Sequence, residues 1–213
     1  MADRHTAENM FQIIKQDIET FGYKKISALI TDNAANMQSL RRIVNAEYKN
    51  IEVFGCAAHG YNLIFKDIIQ IDFFKNVFDI SKSIVKEVND SSIKLAKFDE
   101  LRKDQCNRLK FYVATRWYSL VNLLQSVLDA KNILGTMAFQ KVIEQQTNVD
   151  AILEKHFQFW NNLEVTLNVL KPISKVIGEV EKDNSFISDI PVINNNLIAE
   201  ITTLLDNNVL KTE

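Results

Sequence analysis

Only two stretches of this chain carry a strand pattern, and both end by residue 56. KKISALIT (24–31) and IEVFGC (51–56) are short and nearly continuously apolar, the pattern of strands buried on both faces of a parallel sheet. Between them Met37, Leu40, Val44 and Tyr48 recur at three and four. A helix running from Asn33 therefore joins them into a β-α-β unit, with the right-handed crossover such units take. Upstream, Thr6 can cap a helix whose apolar positions are Ala7, Met10, Phe11, Ile14, Ile18 and Phe21, with Gly22 as its stop.

After Cys56 the period changes to that of helices and does not change back. Tyr61, Ile64, Phe65 and Ile68 form one face, and Phe74, Val77, Phe78, Ile84, Val85 and Val88 another. Residues 93–106, the set Trp117, Leu120, Val121, Leu124, Val127 and Leu128, and the set Trp160, Leu163, Leu167, Leu170 and Ile177 give three more. Pro172 should kink or divide the last of these. Ser188 to Pro191 opens a final helix through Ile198, Ile201 and Leu205, and the polar residues 140–150 read as a loop. With only 5 glycines and 2 prolines in 213 residues, tight turns are scarce, so the expected class is α/β passing into all-α, predominantly helical. Two strands alone rarely make a stable sheet. The α/β part therefore reads as incomplete, its remaining strands supplied by a partner or by chain beyond these residues.

A net charge of −2 gives no basic field of the kind that drives nonspecific binding to phosphate, so any nucleic-acid role must rest on local geometry. Cys56 and Cys106 cannot build a disulfide framework, and MADRHTAENM lacks the apolar core of a signal peptide. No run of about 18 apolar residues occurs. These features predict an intracellular, soluble chain without a membrane partner.

Few residues stand where chemistry is done. Asp32, in LITDNAANM, follows the first strand at the end where open α/β sheets place ligands. It also stands beside a helix start, where Asp is a favoured cap. Asn33 can cap instead, and Asn36 lies a turn further on, where a polar residue ordinarily faces solvent. Cys56 and His59, in CAAH, have the spacing of a metal half-site without a second pair, and Cys56 reads equally as a small buried hydrophobe. His59 starts a helix after the second strand, on the same rim as Asp32. Arg116 and Trp117, in TRWYS, put a guanidinium beside an indole, able to stack on a base or hold a phosphate; Trp117 is equally the first core position of its helix. The basic pairs Lys24-Lys25, Arg41-Arg42 and Arg102-Lys103 read as solvated faces. Phosphate-cradling glycine loops, nucleophile elbows and HExxH are absent from the sequence.

In this order and spacing, HTAENM, ITDNAANM, CAAHGYNLIFKD and TRWYS resemble the hAT superfamily of DNA transposases, of the Activator and hobo type, over roughly residues 5–130. FWNNLEVTLNVLKPISKVIGEVEKD carries a weaker echo. The resemblance implies an RNase H-like core interrupted by a large helical insertion, here residues 1–72 as a partial core and 73–213 as insertion. It implies that Asp32 is the second acid of an Asp-Asp-Glu triad, a catalytic residue and a ligand to Mg²⁺ or Mn²⁺ in a two-metal centre. Asn33, Asn36 and Cys56 then support the site. His59, Arg116 and Trp117 contact DNA, such as a transposon end or hairpin, with Trp117 offering a stacking face to an extruded base. The first acid would fall upstream of Met1, and no Ser-Ala-Glu-Arg-like helix precedes Glu213. The expectation is therefore the middle of a transposase, not competent to cut DNA by itself and binding no metal tightly. Its partners would be DNA, further copies or the missing segments, and its location nuclear. The alternative is a non-catalytic helical module that binds protein or DNA.

Overall fold

The computed structural model describes residues 6–113, 117–154 and 158–206, without the side chains of Trp117 and Leu205. A two-stranded parallel sheet with its helices leads into an all-helical region. The chain forms two compact units, Met1–Leu63 and Ile64–Glu213.

In the first unit, α1 (Ala7–Phe21) begins with Thr6 Oγ1 accepting the Asn9 N–H at 3.3 Å, and ends at Gly22. A 3-10 turn (Tyr23–Lys25) leads to β1 (Ala28–Thr31), then α2 (Ala35–Glu47) and β2 (Glu52–Gly55). The strands are parallel, with Leu29 beside Val53, Ile30 beside Phe54 and Thr31 beside Gly55. Phe11 and Ile18 of α1 and Leu40 and Val44 of α2 share one core with Tyr48 and Ile51, and Leu29 and Val53 pack against it. Both helices thus serve the Leu29–Val53 face. On the other face Ile30 is 51% and Phe54 38% exposed, so these strands are not buried on both sides as their apolar runs predict.

Helix α3 (Ala57–Ile68) begins in the first unit and ends in the second. The second unit continues with α4 (Asp72–Asn89), α5 (Ser92–Arg102), α6 (Trp117–Asp129), α7 (Lys131–Phe139), α8 (Gln146–Leu153), α9 (Gln158–Val180) and α10 (Ile190–Asp206). Helix α4 packs against α5, α6, α8 and α9, and α9 also against α6 and α10. Its core contains Ile84, Phe98, Leu120, Leu124, Met137, Trp160, Leu163 and Ile173; full burial of one such aliphatic side chain stabilises by roughly 1.5–3 kcal/mol. The Trp160 indole N–H donates to Ile152 O at 3.1 Å, so its polar edge is satisfied inside the core.

Several boundaries differ from the sequence reading. Helix α5 stops at Arg102 rather than continuing to Cys106, because Lys103 takes φ 45° and the Arg102 guanidinium donates to Lys103 O and Cys106 O across the turn. The helix that starts at Trp117 ends at Asp129, as its apolar positions through Leu128 predict, but a separate helix, α7, which the sequence reading does not place, follows. Residues 140–145 are a loop, but α8 already begins at Gln146. Pro172 does not divide α9, which runs unbroken from Gln158 to Val180. The ring is buried against the core, while Asn168, whose carbonyl loses its usual donor, lies on the exposed side.

Two polar devices hold the second unit together. The Glu87 carboxylate accepts from Lys94 Nζ (2.7 Å), the backbone N–H groups of Glu144 (2.7 Å) and Gln145 (3.1 Å), and Asn148 Nδ2 (2.7 Å). It thereby fastens the start of α8 to α4. The second device is along α6, where Ser126 Oγ accepts the Lys110 N–H at 3.0 Å and Ser119 Oγ accepts the Val113 N–H at 3.0 Å while donating to Val113 O at 2.8 Å. Residues 110–113 are thus tied to α6 at both ends, through Ser126 and Ser119. Asn89 Nδ2 holds Leu109 O at 3.2 Å, and Tyr112 meets Phe78 edge to face at 5.1 Å.

Candidate functional site

The strand ends of the first unit meet at one rim, where Thr31 and Gly55 are register partners and Cys56 N–H donates to Thr31 O at 2.6 Å. Asp32 follows directly and is exposed. Its Oδ1 accepts the Ala34 N–H at 2.9 Å, closing an Asx turn. The cap position of α2 is Ala34, whose side chain can accept nothing, and the helix starts at Ala35 rather than Asn33. Asp32 therefore serves the entry turn without being the N-cap residue, and its carboxylate stays at the rim.

Asn33 is not the cap either. Its Nδ2 donates to Cys56 O at 3.1 Å, bridging the two strand ends, and its own carbonyl accepts from Gln38 Nε2 at 3.0 Å. The bridge passes over Gly55: a Cβ there would sit 2.1 Å from Asn33 Oδ1. Arg41 of α2 reaches the same corner, its Nη1 donating to Thr31 Oγ1 and to Asp32 O, each at 2.6 Å. This guanidinium is not on a solvated face. It clamps the β1–α2 corner and fixes the backbone that carries Asp32. Asn36 is half-buried, its Nδ2 3.8 Å from Met10 Sδ, rather than on the solvated side.

Cys56 and His59 are brought together by a cap. Cys56 precedes α3, and its Sγ accepts the His59 backbone N–H at 3.5 Å, the contact an N-cap side chain makes with the third helical residue. The thiol is half-buried, not a core hydrophobe. Among the described residues no three His, Cys, Asp or Glu side chains are grouped so as to hold a metal ion. Asp32 is in no such group, so the described donors do not fit a two-metal centre.

The second candidate region is only partly described. Arg116 lies outside the described residues, and Trp117 opens α6 with its side chain outside them. Tyr118 reaches α9, where a Cβ on Gly178 would fall 2.1 Å from its hydroxyl. Burial pushes that hydroxyl's pKa up, and the Glu181 carboxylate adds to the effect. Ser119 has the stapling role described above. Tyr118 thus joins the start of α6 to Gly178 of α9, a link that sequence spacing does not reveal. Sequence reasoning also missed Arg41 and Gly55; an arginine ten residues after the strand, on the helix face returning to it, was the available signal.

Residues 1–84 match a domain of unknown function, DUF659, and residues 54–169 match the ZBED1 RNase-like helical domain. The second match takes in more than half of the chain, from β2 into α9. The chain belongs to the ZBED1 RNase-like helical domain family. With DUF659 ahead of it, this is a transposase-related chain of the hAT and ZBED type. The ZBED1-type match includes Cys56, His59, Arg116 and Trp117, and the DUF659 match includes Asp32, Asn33, Asn36 and Arg41. No curated protein and no solved structure matches the chain. Among the described residues no helix is long and apolar enough to cross a membrane.

Proposed function

We propose that this chain is a transposon-derived unit that engages DNA and does not cut it unaided. The observation that carries the reading is the isolation of Asp32. It stands at the ligand end of a parallel strand pair, with one oxygen committed to the Ala34 amide, and among the described residues it belongs to no group of three His, Cys, Asp or Glu side chains able to hold a metal ion. Without such a group the paired cations that in-line phosphodiester cleavage uses are not assembled, and we derive no step through Mg²⁺ or Mn²⁺. The DNA-contacting role falls to Arg116 and Trp117, with His59 at the rim, in a nuclear setting.

The test is incubation of the purified chain with a DNA hairpin and with duplex, in Mg²⁺ and then Mn²⁺. Binding without a nicked or transferred product is expected, with Asp32→Asn indistinguishable from wild type. A product that disappears in Asp32→Asn would overturn the proposal. Trp117→Ala should weaken hairpin binding by about 1–3 kcal/mol if the indole stacks on a base.

One observation favours a second reading, a unit completed by another chain. Ile30 and Phe54 form an exposed apolar pair on a sheet of only two strands, and parallel sheets normally have both faces covered.

A further inference from the structure

No Asp or Glu occurs between Asp104 and Asp129, the longest acid-free stretch of the chain, and it carries Arg108, Lys110 and Arg116. Within a protein of net charge −2 this is a local basic segment, complementary to an anionic polymer. Arg108 is already engaged, its Nε 3.0 Å from Asp99 Oδ1 and its Nη2 on Oδ2. Lys110 is exposed. Next to it Phe111 is 55% exposed, although Leu109 and Tyr112 on either side of the pair turn inward, one buried and the other packed on Phe78.

Exposing Phe111 is not a consequence of a slack loop. The backbone on both sides is tied to α6 by the Ser126–Lys110 and Ser119–Val113 hydrogen bonds and to α4 by Asn89. The ring stands outward on backbone tied at both ends, which lowers the ordering cost of any contact it makes. An exposed aromatic ring next in sequence to an exposed ammonium is a combination suited to unpaired bases and their phosphates: every base has a π-face for the ring, and the cation tracks the backbone.

We propose that Lys110 and Phe111 form a contact for single-stranded nucleic acid, with Phe111 as the stacking face and Lys110 on a phosphate. The substrate class rests on the DNA-engaging reading above; the residues and the geometry are independent of Trp117. The experiment is fluorescence anisotropy of the full chain with a labelled 20-nucleotide oligo-dT across a salt series, beside duplex of the same length.

Phe111→Ala should weaken oligo-dT binding by about 5- to 100-fold with little change on duplex, whereas Phe111→Tyr should preserve it. Lys110→Ala should reduce the slope of log K against log salt by about 0.7. Neither side chain is buried, so circular dichroism melts should match wild type. If wild type binds and Trp117→Ala weakens it while both Phe111→Ala and Lys110→Ala do not, the contact proposed here is overturned and the wider reading stands. If Phe111→Ala weakens binding and Trp117→Ala does not, this contact stands and the role given to Trp117 falls. Absence of wild-type binding to oligo-dT overturns this contact, and absence of hairpin binding as well overturns the wider reading.

Discussion

Asn33 donates its side-chain amide to the carbonyl oxygen of Cys56 at 3.1 Å, tying the turn after β1 to the residue after β2. The bond exists because Gly55 has no Cβ to occupy the space that Asn33 Oδ1 fills. Asn33→Ala should destabilise the chain by about 1 kcal/mol, the usual net value of such a bond. Gly55→Ala should cost more, because the asparagine must leave its place as well. In the double variant the two losses should not add, with a coupling of at least about 0.5 kcal/mol measurable in urea melts. Strict additivity would mean that the two residues act independently.

Glu87 gives the second unit a specific acid sensitivity. Burial alone would push its carboxyl up, but the Lys94 ammonium, the Glu144 amide, the Asn148 side chain and the Gln145 amide outweigh this and hold it at about 2. A carboxyl whose folded pKa is depressed contributes stability that is complete above the ordinary value near 4.5 and is lost as pH falls from there towards 2. The contribution is on the order of 2–3 kcal/mol. Glu87→Gln should lower stability at pH 7 by a similar amount and flatten the decline between pH 4.5 and 2, as followed by denaturant midpoints across that range. An unchanged acid limb in the variant would place the sensitivity elsewhere.

What was legible in the sequence follows from which interactions are local. Thr6, Gly22 and the i, i+3, i+4 spacing of Phe11, Ile14 and Ile18 specify α1 within a few turns, and the structure has it where they put it. The two strands and the helix between them were equally readable, because an apolar run bounded by a turn is a local signal. The uncovered face of Ile30 and Phe54 was not, since an apolar strand looks the same whether or not something lies over it. The start of α8 at Gln146 was hidden for a related reason: the polar run from 140 to 150 resembles a loop until Glu87, from another helix, accepts its N-terminal amides. At the rim, Asp32 was placed correctly after β1, but the roles of Asn33 and Arg41 depend on Cys56 and Thr31 meeting across the sheet.

The Ile30–Phe54 face separates a self-contained unit from one completed by another chain. Ile30 is half in solvent, so Ile30→Thr should change the stability of the isolated chain by no more than about 0.5 kcal/mol. If copies of the chain cover this face, wild type should show a melting temperature that rises with concentration, and Ile30→Thr should remove that dependence. Sedimentation velocity over the same range checks the assembly directly. A concentration-independent wild type would exclude self-association as the cover of this face.

Asp32 offers the sharpest separation between a structural and a chemical role, because the turn and the reaction ask different things of it. Its Oδ1 accepts one backbone N–H, and an asparagine carbonyl can do the same, so Asp32→Asn should leave the melt within about 0.5 kcal/mol of wild type. Asp32→Ala removes the acceptor and should cost about 1 kcal/mol, with faster amide exchange at Ala34. Arg41 holds the backbone carbonyl of Asp32 rather than its carboxylate, so it keeps its bond in both variants and the corner should persist. A large loss of stability in Asp32→Asn would show that the negative charge itself supports the fold. Equal stability together with unchanged DNA binding would leave the carboxylate without a part in either, and the rim would then be a turn rather than a working site.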